Sequence, residues 1–496
     1  MSDLVAIRLL PLGASFVVER GAELRSALAA HGVDLPCGGI RACGGCGVRA
    51  LNGNPPVTTW DRDVFARAEL DDGWRLACRM RADGDLALDV GDVAAPILAD
   101  DSAVAGEQRQ GLGVAIDVGS TTVVAQLIDR ASGAILGVRT GLNPQMAQGA
   151  DVMSRVRFAL GDRELTTAIR RFVGGMVGDL AAGRDLAEVV LVGNTVMHHL
   201  FCGLDVEPLS HVPFASPTLG EQRFRAADLG WPLGDAALVR FLPCLGGFVG
   251  SDILAGVGAV DLCRDGDLRA LIDLGTNGEI ALGNRDRVLV ASTAAGTAFE
   301  AGCIHNGMRA ANGAIAHVTV NADGQLDCDV IGGGAAQGVC GSGLVDAVAG
   351  GLSLGRILPS GRIASGQRLF PLSGAIALRQ SDVRELQLAK GAIAAGLRVL
   401  LRHWGASIAD LRTLYLAGAF GNYLRVDSAR RIGLLECPPR IVVAAGNAAL
   451  RGAKQILAGK APPIAADVRH VVLAADADFE DQFVGCMGFP NSVPAP

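Results

Sequence analysis

Two short stretches of this chain repeat each other at a distance that restricts the fold. Residues 116–125 read IDVGSTTVVA, and residues 272–281 read IDLGTNGEIA. Each consists of an apolar strand, an aspartate, a Gly-Ser/Thr turn and a second apolar strand. Their offset of 156 residues (272 minus 116) is too long for a solenoid repeat and is typical of a duplicated domain. The sequence therefore predicts an α/β domain built twice, beginning near residue 113.

Both turns suit a phosphate group. A tight turn between two strands directs successive backbone N–H groups and hydroxyls at an anion, and a carboxylate at the strand end can hold Mg²⁺ directly or through water. One such turn alone is usually an ordinary hairpin, but two of them in a duplicated fold are a stronger signal. No Walker P-loop is present, because none of the three lysines has the glycine spacing that it requires. The candidate residues are Asp117, Gly119, Ser120, Thr121 and Thr122 in the first turn, and Asp273, Gly275, Thr276 and Asn277 in the second.

Three further segments place a glycine-rich turn before a helix. They are EVVLVGNTVMHHL (188–200), GVCGSGLVDAVAG (338–350) and TLYLAGAFGNYL (413–424). Helix N-termini and bare backbone favour phosphate or adenosine nearby. Each segment taken alone also fits a plain turn between a strand and a helix.

A cysteine cluster lies near the N-terminus. Cys37, Cys43 and Cys46 fall within ten residues, and Cys78 follows. Plant-type [2Fe–2S] ferredoxins use a related spacing, and the five glycines around the cysteines would let backbone N–H groups approach the sulfides. The alternatives are unligated thiols or a structural zinc site, although zinc ribbons usually pair two C-x2-C knuckles and Cys78 stands alone. A [2Fe–2S] cluster is favoured.

The hydrophobic pattern around the cysteines indicates a small ferredoxin-like module. Residues 4–10 and 15–19 read as a strand pair, residues 23–32 as a helix, and residues 86–90 as a closing strand. Residues 94–112 lose periodicity and read as a linker. The predicted domains are 1–93, a ferredoxin-like domain; 94–112, a linker; and 113–496, the duplicated α/β domain, with lobes at about 113–260 and 266–440 and a C-terminal segment, 441–496, that packs back.

Composition excludes two classes of function. The net charge of −7 and the pI near 5.7 argue against nucleic-acid binding. No apolar run is long enough to span a bilayer, and the N-terminus MSDLVAIRLL lacks the layout of a signal peptide. We therefore expect a cytoplasmic protein without a membrane or nucleic-acid partner.

The motifs together resemble those of a known family, the reductive activators of corrinoid enzymes. The stretches that carry the resemblance include NPQMAQGADVMSRV (143–156) and STAAGTAFEAGCI (292–304) besides those above, and they cover nearly the whole chain. The resemblance implies an N-terminal β-grasp, ferredoxin-like α+β domain that carries a [2Fe–2S] cluster. A duplicated, RNase H-like, two-lobed ATPase domain of the actin/Hsp70/sugar kinase superfamily would follow it.

The resemblance also implies roles for particular residues. Cys37, Cys43, Cys46 and Cys78 would ligate the cluster. Asp117 and Asp273 would be catalytic, the turns after them would face the phosphates of Mg²⁺–ATP, and Gly418 and Gly421 would lie near the nucleoside. Longer relatives carry an extra middle domain between the cluster domain and the ATPase. Here we expect only the linker 94–112 in that place.

The implied activity is ATP-dependent, one-electron reduction of a corrinoid protein from Co(II) to Co(I). The expected partners are a corrinoid protein or corrinoid-dependent methyltransferase, a flavin or ferredoxin-type electron donor, and a second copy of the chain bound through the ATPase domain. Two alternatives remain open from the residues themselves. One is a small-molecule kinase of the same superfamily with a regulatory cluster, and the other is a redox-sensing nucleotide-binding module.

Several other side chains have a structural explanation at this stage. His198 and His199 lie on a predicted helix, where packing or capping is favoured over catalysis. Glu279 and Glu300 are weaker candidates for positioning a water molecule. Trp60 and Trp74 flank the fourth cysteine and are interpreted as shielding or core residues.

Overall fold

A computed structural model describes most of the chain and groups it into two compact units. The first unit comprises Met1–Pro96, Glu300–Arg356 and Ile363–Glu385; the second comprises Ile97–Phe299, Ile357–Arg362 and Leu386–Pro496. The residues described are 3–10, 14–31, 33, 46–90, 100, 102, 109–149, 151–231, 233, 237–295, 298–364, 368–460 and 467–491. None of the helices in these ranges is both long and apolar enough to cross a membrane.

The N-terminal part of the first unit is a five-stranded sheet with short helices. The strand order is β2-β1-β5-β3-β4. Alternate residues of the first strand, Val5, Ile7 and Leu9, are buried, and Leu24 and Leu28 join the same core. The elements are β1 (Leu4–Leu10), β2 (Ala14–Glu19), α1 (Arg25–Ala30), β3 (Gly47–Ala50), α2 (Thr59–Val64), α3 (Arg67–Asp71), β4 (Trp74–Leu76) and β5 (Leu86–Asp89).

The same unit contains a second group of elements from the C-terminal half of the chain. A three-stranded sheet of order β16-β15-β17 and a hairpin of β18 with β19 accompany one helix, α8, which contacts β15. The elements are β15 (Ala314–Val320), β16 (Leu326–Val330), β17 (Gly338–Val339), α8 (Gly341–Ser353), β18 (Leu369–Ser373) and β19 (Ile376–Arg379).

The second unit is built on two six-stranded sheets. Their orders are β10-β11-β9-β6-β7-β8 and β21-β20-β12-β13-β14-β22. The first sheet and its helices are β6 (Leu112–Val118), β7 (Thr122–Asp129), β8 (Ile135–Leu142), α4 (Val152–Ala159), α5 (Glu164–Ala181), β9 (Leu186–Val192), α6 (Thr195–Cys202), β10 (Gln222–Arg225), β11 (Leu238–Phe241) and α7 (Ser251–Ala259). The second sheet and its helices are β12 (Arg269–Leu274), β13 (Gly278–Gly283), β14 (Arg287–Thr293), α9 (Gln380–Trp404, which begins in the first unit), β20 (Thr413–Ala417), α10 (Gly418–Tyr423), α11 (Val426–Arg431), β21 (Val442–Gly446), α12 (Ala448–Leu457), β22 (Asp467–His470) and α13 (Phe479–Met487).

The two sheets share one topology. In each, three consecutive strands form an antiparallel meander, β6-β7-β8 and β12-β13-β14. A later strand then joins the first strand of the meander in parallel, as β9 does with β6 and β20 with β12. The duplication predicted from IDVGSTTVVA and IDLGTNGEIA is therefore present in the strand order. The central strands are apolar on both faces, as expected for strands covered by helices.

Helix α12 connects the sheets of the second unit. It follows β21 of the second sheet, and it packs against β6 and β9 of the first sheet and against α7. Its apolar face enters a core that includes Ala115, Val190, Leu450 and Leu457. A C-terminal element therefore packs on the strand that carries the first of the two predicted phosphate-binding turns.

Two residues of the expected linker are attached to α12. The side chain of Lys454 is fully buried, and its Nζ lies 3.0 Å from Asp100 Oδ2. It also donates to the backbone oxygens of Asp100, at 2.6 Å, and Ser102, at 3.0 Å. The amide of Gln126 donates to the same Asp100 oxygen at 3.0 Å. The domain boundaries drawn from the sequence stay predictions, and strand β6 itself begins at Leu112.

Candidate functional site

The two aspartates of the repeated motif occupy equivalent positions in their sheets. Asp117 is the last but one residue of β6 and pairs with Val192 at the end of β9. Asp273 is the last but one residue of β12 and pairs with Ala417 at the end of β20. Strand β9 is followed by Gly193, and β20 runs directly into α10, which begins at Gly418. The fold thus places the predicted supporting segments beside the aspartates.

Hydroxyl groups from the two turns meet. The Oγ1 atom of Thr276 lies 3.0 Å from Ser120 Oγ and 3.1 Å from Thr121 Oγ1. Thr276 is buried, whereas Ser120 and Thr121 are half-buried. Ser120 and Thr276, which are 156 positions apart in the chain, therefore belong to one cluster of hydroxyl groups. Such a cluster can donate hydrogen bonds to one anion from both halves of the duplicated fold.

Glycine is required at two points where backbone comes close to the site. A Cβ on Gly119 would lie 2.5 Å from the carbonyl oxygen of Thr122, inside the turn. Gly418 has φ of +84°, and a Cβ there would lie 2.6 Å from Asp273 Oδ1 and 2.7 Å from the oxygen of Leu274. Any side chain at residue 418 would therefore displace the Asp273 carboxylate.

Two further acids join the aspartates. Asp252 lies in the first turn of α7, and Glu279 pairs with Asp273 across the β12–β13 hairpin. Burial raises the pKa of Asp117 to about 6, that of Asp273 to about 7 and that of Asp252 to about 8. It also raises the pKa of Glu279 well above its ordinary value. The negative charge of neighbouring acids adds to the effect at Asp252, Asp273 and Glu279.

The four acids Asp117, Asp252, Asp273 and Glu279 form a carboxylate cluster. When they are ionised, they concentrate negative charge that a bound cation would neutralise. The main influences on the pKa values of the four groups are burial, the charges of neighbouring acids and hydrogen bonds. Closely spaced, partly desolvated carboxylates repel one another unless they are protonated or bind a cation. Carboxylate oxygens are the ligands that Mg²⁺ prefers, usually one or two of them together with substrate phosphates. The donor set therefore fits Mg²⁺ with a nucleotide phosphate.

Asp117 has a hydrogen-bond donor from the other sheet. Asn447 lies between β21 and α12, and its Nδ2 donates to Asp117 Oδ2 at 3.0 Å. This hydrogen bond opposes the effect of burial on the pKa of Asp117.

The remaining predicted nucleotide residues are distributed as follows. Thr122 begins β7, and Gly275 donates its backbone N–H to the oxygen of Asn277 at 3.1 Å inside the second turn. Asn277 hydrogen-bonds to Glu279, and Gly421 lies in α10, after β20. Residues 338–350 and Glu300 fall in the first unit, so they are not among the groups that the second unit brings together.

The paired histidines are packing residues in this structure. His198 and His199 are both fully buried on α6. His199 Nδ1 donates to the oxygen of Thr195 at 2.8 Å, so its Nε2 accepts from Ser216 Oγ at 2.7 Å. His198 packs edge-on against Phe241, at 5.1 Å between ring centroids.

The described part of the cysteine site brings together Cys46 and Cys78. Cys46 precedes β3 and Cys78 follows β4, and these strands pair with each other. Both cysteines are buried, and the backbone N–H of Cys78 lies 3.5 Å from Cys46 Sγ. Backbone N–H groups that donate to the ligand sulfurs are usual in iron–sulfur sites, so this pair fits a [2Fe–2S] cluster. Cys37 and Cys43 lie outside the described residues.

A buried aspartate fixes the segment that carries Cys78. Asp61 accepts from the N–H of Thr58 at 2.7 Å with one oxygen, and from the N–H of Leu76 at 2.8 Å with the other. Beside it, Trp60 is 51% exposed, and the guanidinium of Arg79 lies 4.3 Å from its ring centroid. Trp60 is therefore a partly exposed residue rather than part of the core.

Sequence comparison matches most of the chain to known protein families. The domain described as the 2Fe-2S iron-sulfur cluster binding domain matches residues 7–83. The RACo middle region matches residues 112–265, and the C-terminal domain of RACo, the ASKHA domain, matches residues 267–495. The corrinoid activation enzyme RamQ of Eubacterium limosum is 36% identical over 77% of this chain and 71% of its own length. This chain is a member of the corrinoid reductive activator family.

Two other members of the activator family are similar to the chain. The [Co(II) methylated amine-specific corrinoid protein] reductase of Methanosarcina barkeri is 27% identical over 75% of this chain and 76% of its own length. The solved structure of a reductive activator for corrinoid, iron-sulfur protein superposes with a TM-score of 0.69 and 24% identity, and it covers 98% of each chain. The latter match shows a shared fold.

Membership in the activator family confirms several predictions from the sequence. These are the ferredoxin-like domain with a [2Fe–2S] cluster, the ATPase domain of the actin/Hsp70/sugar kinase superfamily, and the class of enzyme. One expectation is wrong. The middle region of the family is present at residues 112–265, so the linker 94–112 does not replace it. What the sequence suggested as the first ATPase lobe is the segment that the family assigns to its middle region.

Sequence reasoning missed two residues of the site in this activator. Asp252 appears in the sequence only as a single acid in GSDILAG, without the following glycine turn that marked the other two. Asn447 appears in AAGNAALRGA, where a Gly-Asn pair before an apolar helix indicates an N-cap. That pattern predicts the helix start but does not indicate a contact with Asp117.

Proposed function

We propose that this protein uses ATP to drive one-electron reduction of a corrinoid protein from Co(II) to Co(I). The electron is carried by its own [2Fe–2S] cluster, and the partner is a corrinoid protein or a corrinoid-dependent methyltransferase. The observation that carries the proposal is the joining, in one chain of the activator family, of an iron–sulfur domain to two phosphate turns whose hydroxyls meet at 3.0 Å.

The residues of the second unit have distinct roles in this proposal. Asp117 and Asp273 hold Mg²⁺ directly or through water, and the hydroxyls of Ser120, Thr121 and Thr276 bind nucleotide phosphates. The backbone of Gly119, Gly275 and Gly418 approaches the phosphates where a side chain would interfere. Asp252 and Glu279 complete the acidic lining, and one of them orients the attacking water. Thr122, Asn277 and Gly421 complete the nucleotide-binding set.

The residues of the first unit hold the redox group. Cys37, Cys43, Cys46 and Cys78 are the proposed ligands, and Asp61 fixes the segment on which Cys78 lies. When bound, the [2Fe–2S] cluster supplies one electron at a time, and Mg²⁺–ATP supplies free energy. Because one electron moved against 59 mV costs about 1.4 kcal/mol, a reduction that is uphill for ordinary donors needs such a coupling. The coupling works if ATP changes which state of the bound partner is more stable.

The test is a spectrophotometric assay of Co(II)-to-Co(I) conversion with a purified corrinoid protein. We expect conversion only when the cluster is reduced and ATP is present, and slow basal ATP hydrolysis that rises when the corrinoid protein is added. ADP and a non-hydrolysable ATP analogue serve as controls. Equal rates and yields with all three nucleotides would remove the ATPase from the mechanism.

The electron donor and the oligomeric state are finer parts of the proposal. A flavin or ferredoxin-type donor suits a one-electron carrier. We expect dimerisation through the ATPase domain, and the mass in solution of the full chain would show whether a dimer forms. The cytoplasmic location expected from the sequence likewise stays a prediction.

A further inference from the structure

The side chain of Asn447 makes two hydrogen bonds that fix its orientation. Its Oδ1 accepts from the backbone N–H of Leu450 at 2.8 Å and so caps helix α12. Because an amide oxygen cannot donate, this cap determines that Nδ2 is the end directed at Asp117. The distance from Nδ2 to Asp117 Oδ2 is 3.0 Å.

The Asn447–Asp117 contact joins the two sheets of the second unit. Asp117 lies at the end of β6, while Asn447 directly follows β21, a strand of the sheet that carries Asp273. The residues are 330 positions apart in the chain. Helix α12, which Asn447 caps, packs against β6, β9 and α7. A rotation of one sheet relative to the other would therefore change the hydrogen bond to Asp117.

We propose that Asn447 is a positioning residue for the ATPase reaction, which holds the Asp117 carboxylate in the orientation that Mg²⁺–ATP requires. This inference rests on the proposed function, because it assumes that Asp117 acts on Mg²⁺–ATP. One oxygen of Asp117 receives the Asn447 hydrogen bond, which leaves the other oxygen to face the metal or its water. The N-terminus of α12 adds a favourable partial charge beside the same carboxylate.

The test separates the two roles of Asn447, which are to cap helix α12 and to donate to Asp117. Serine is a favoured N-cap residue, but its side chain is too short to cap the helix and reach Asp117 together. We expect Asn447→Ser to raise the KM for Mg²⁺–ATP at least tenfold in the basal ATPase assay, with Tm near the wild-type value. Asn447→Ala should show the same rise in KM and a lower Tm, because the cap is lost as well.

A matched control uses an asparagine with the same kind of contacts elsewhere. Asn284 accepts from the N–H of Asp286 at 2.9 Å and donates to the oxygen of Gly266 at 3.0 Å. It lies beyond Gly283, at the end of β13 opposite to the phosphate turn. We expect Asn284→Ser to leave KM and kcat unchanged.

The outcomes distinguish this inference from the proposed function. If the wild-type protein hydrolyses no ATP, the proposed function fails, and the positioning role fails with it. If the wild type is active and Asn447→Ser retains wild-type KM and kcat, then Asn447 is only a helix cap and the inference alone is overturned. Should Asn447→Ser not fold, Asn447→Thr, also a favoured N-cap with a short side chain, is measured against the same expectations.

Discussion

At the scale of single residues, Cys46 and Cys78 show how the fold supplies a ligand from outside the cysteine-rich loop. Pairing of β3 with β4 brings the two buried cysteines together, and Asp61 fixes the end of β4, two residues before Cys78. Cys78 itself is separated from Cys46 by 32 positions in the chain. A cluster at this place depends on the local sheet as much as on the loop.

Replacing Cys78 tests this arrangement. We expect Cys78→Ala, purified without oxygen, to lose most of its iron and acid-labile sulfide and the reduced [2Fe–2S] EPR signal, because a fourth thiolate is missing. The ATPase activity should remain. Cys328→Ala, a change at a partly buried cysteine of the same unit, is the control and should keep both iron and signal. A full signal in Cys78→Ala would assign the fourth ligand to another residue.

The carboxylate cluster should lose activity and gain stability when one member is neutralised. We expect Asp273→Asn to abolish Mg²⁺–ATP hydrolysis. The [2Fe–2S] cluster bound by the first unit should stay intact. Without nucleotide, the same variant should have a higher Tm than the wild type at pH 8, because burial and the charge of Asp117 raise the pKa of Asp273 to about 7 and make its ionised form costly. Differential scanning fluorimetry and an ATPase assay measure the two effects. If Asp273→Asn hydrolysed ATP at the wild-type rate, the turn after Asp273 would have only a structural role.

The buried His198 makes stability depend on pH. Burial lowers the pKa of His198 to about 4 from the ordinary 6.5. Between pH 4 and pH 6.5, His198 is therefore protonated in the unfolded state and neutral in the folded state. Stability is therefore fully present above about pH 6.5 and falls as the pH drops towards 4. The contribution of this residue is about 3 kcal/mol across the whole interval.

We expect His198→Gln to flatten this pH dependence, which urea unfolding at pH 7 and pH 5 would measure. His199 also has its pKa lowered by burial, so some dependence should remain in the variant. An unchanged slope in His198→Gln would assign the acid sensitivity to other groups.

At the scale of elements, the sequence predicted the features that arise from local patterns. The hairpins β6–β7 and β12–β13 follow from apolar runs on either side of a glycine turn, and β1, β2 and β5 follow from alternation. The strands β3 and β4 were not predicted, since they contain only four and three residues and too few alternating positions to recognise.

Contacts between distant elements could not be predicted in the same way. The charge of Asp273 influences Asp252, and Asn447 donates to Asp117, because helices α7 and α12 pack on particular strands. Nothing in a local pattern specifies that packing. The same holds for Lys454. Its helical position indicates a residue near the C-terminal end of α12, but its burial against Asp100 depends on where the chain before β6 lies.

The buried Lys454–Asp100 pair gives a prediction for α12. Lys454→Met should lower the free energy of unfolding by about 3 kcal/mol, because the partly buried Asp100 carboxylate loses its cationic partner and keeps, among the described residues, only the hydrogen bonds from Ser102. The double variant Lys454→Met/Asp100→Leu should be more stable than Lys454→Met alone, since no unpaired charge remains. Urea unfolding measures both.

The control for the Lys454–Asp100 ion pair is a more exposed ion pair, Lys460 with Asp261. Lys460 lies 3.1 Å from Asp261, and both side chains are more than a third exposed. Lys460→Met should change stability by less than about 1 kcal/mol. A Lys454→Met variant as stable as Lys460→Met would mean that the linker residues are not held by α12.

At the scale of the whole molecule, the two units must communicate if ATP is to control electron delivery. We expect ATP to tighten binding of the corrinoid protein by the same factor by which the corrinoid protein tightens binding of ATP, because binding free energies in one cycle must balance. Isothermal titration of each ligand in the presence and absence of the other measures the two factors, with Asp273→Asn as the uncoupled control. Independent affinities would leave an ATPase and an iron–sulfur carrier that merely share a chain.

The contact of Lys454 with Asp100 also limits the length of chain that is free between the first sheet and α12. If all of residues 94–112 were free, the fully extended span would be about 63–68 Å for nineteen residues. With Asp100 held by Lys454, the chain that joins the end of the first sheet to its anchor runs only from Val90 to Asp100. Ten residues extend to at most about 33–36 Å. The stretch of chain between the first sheet and the residue held by α12 can therefore extend only about half as far as a free 94–112 linker would.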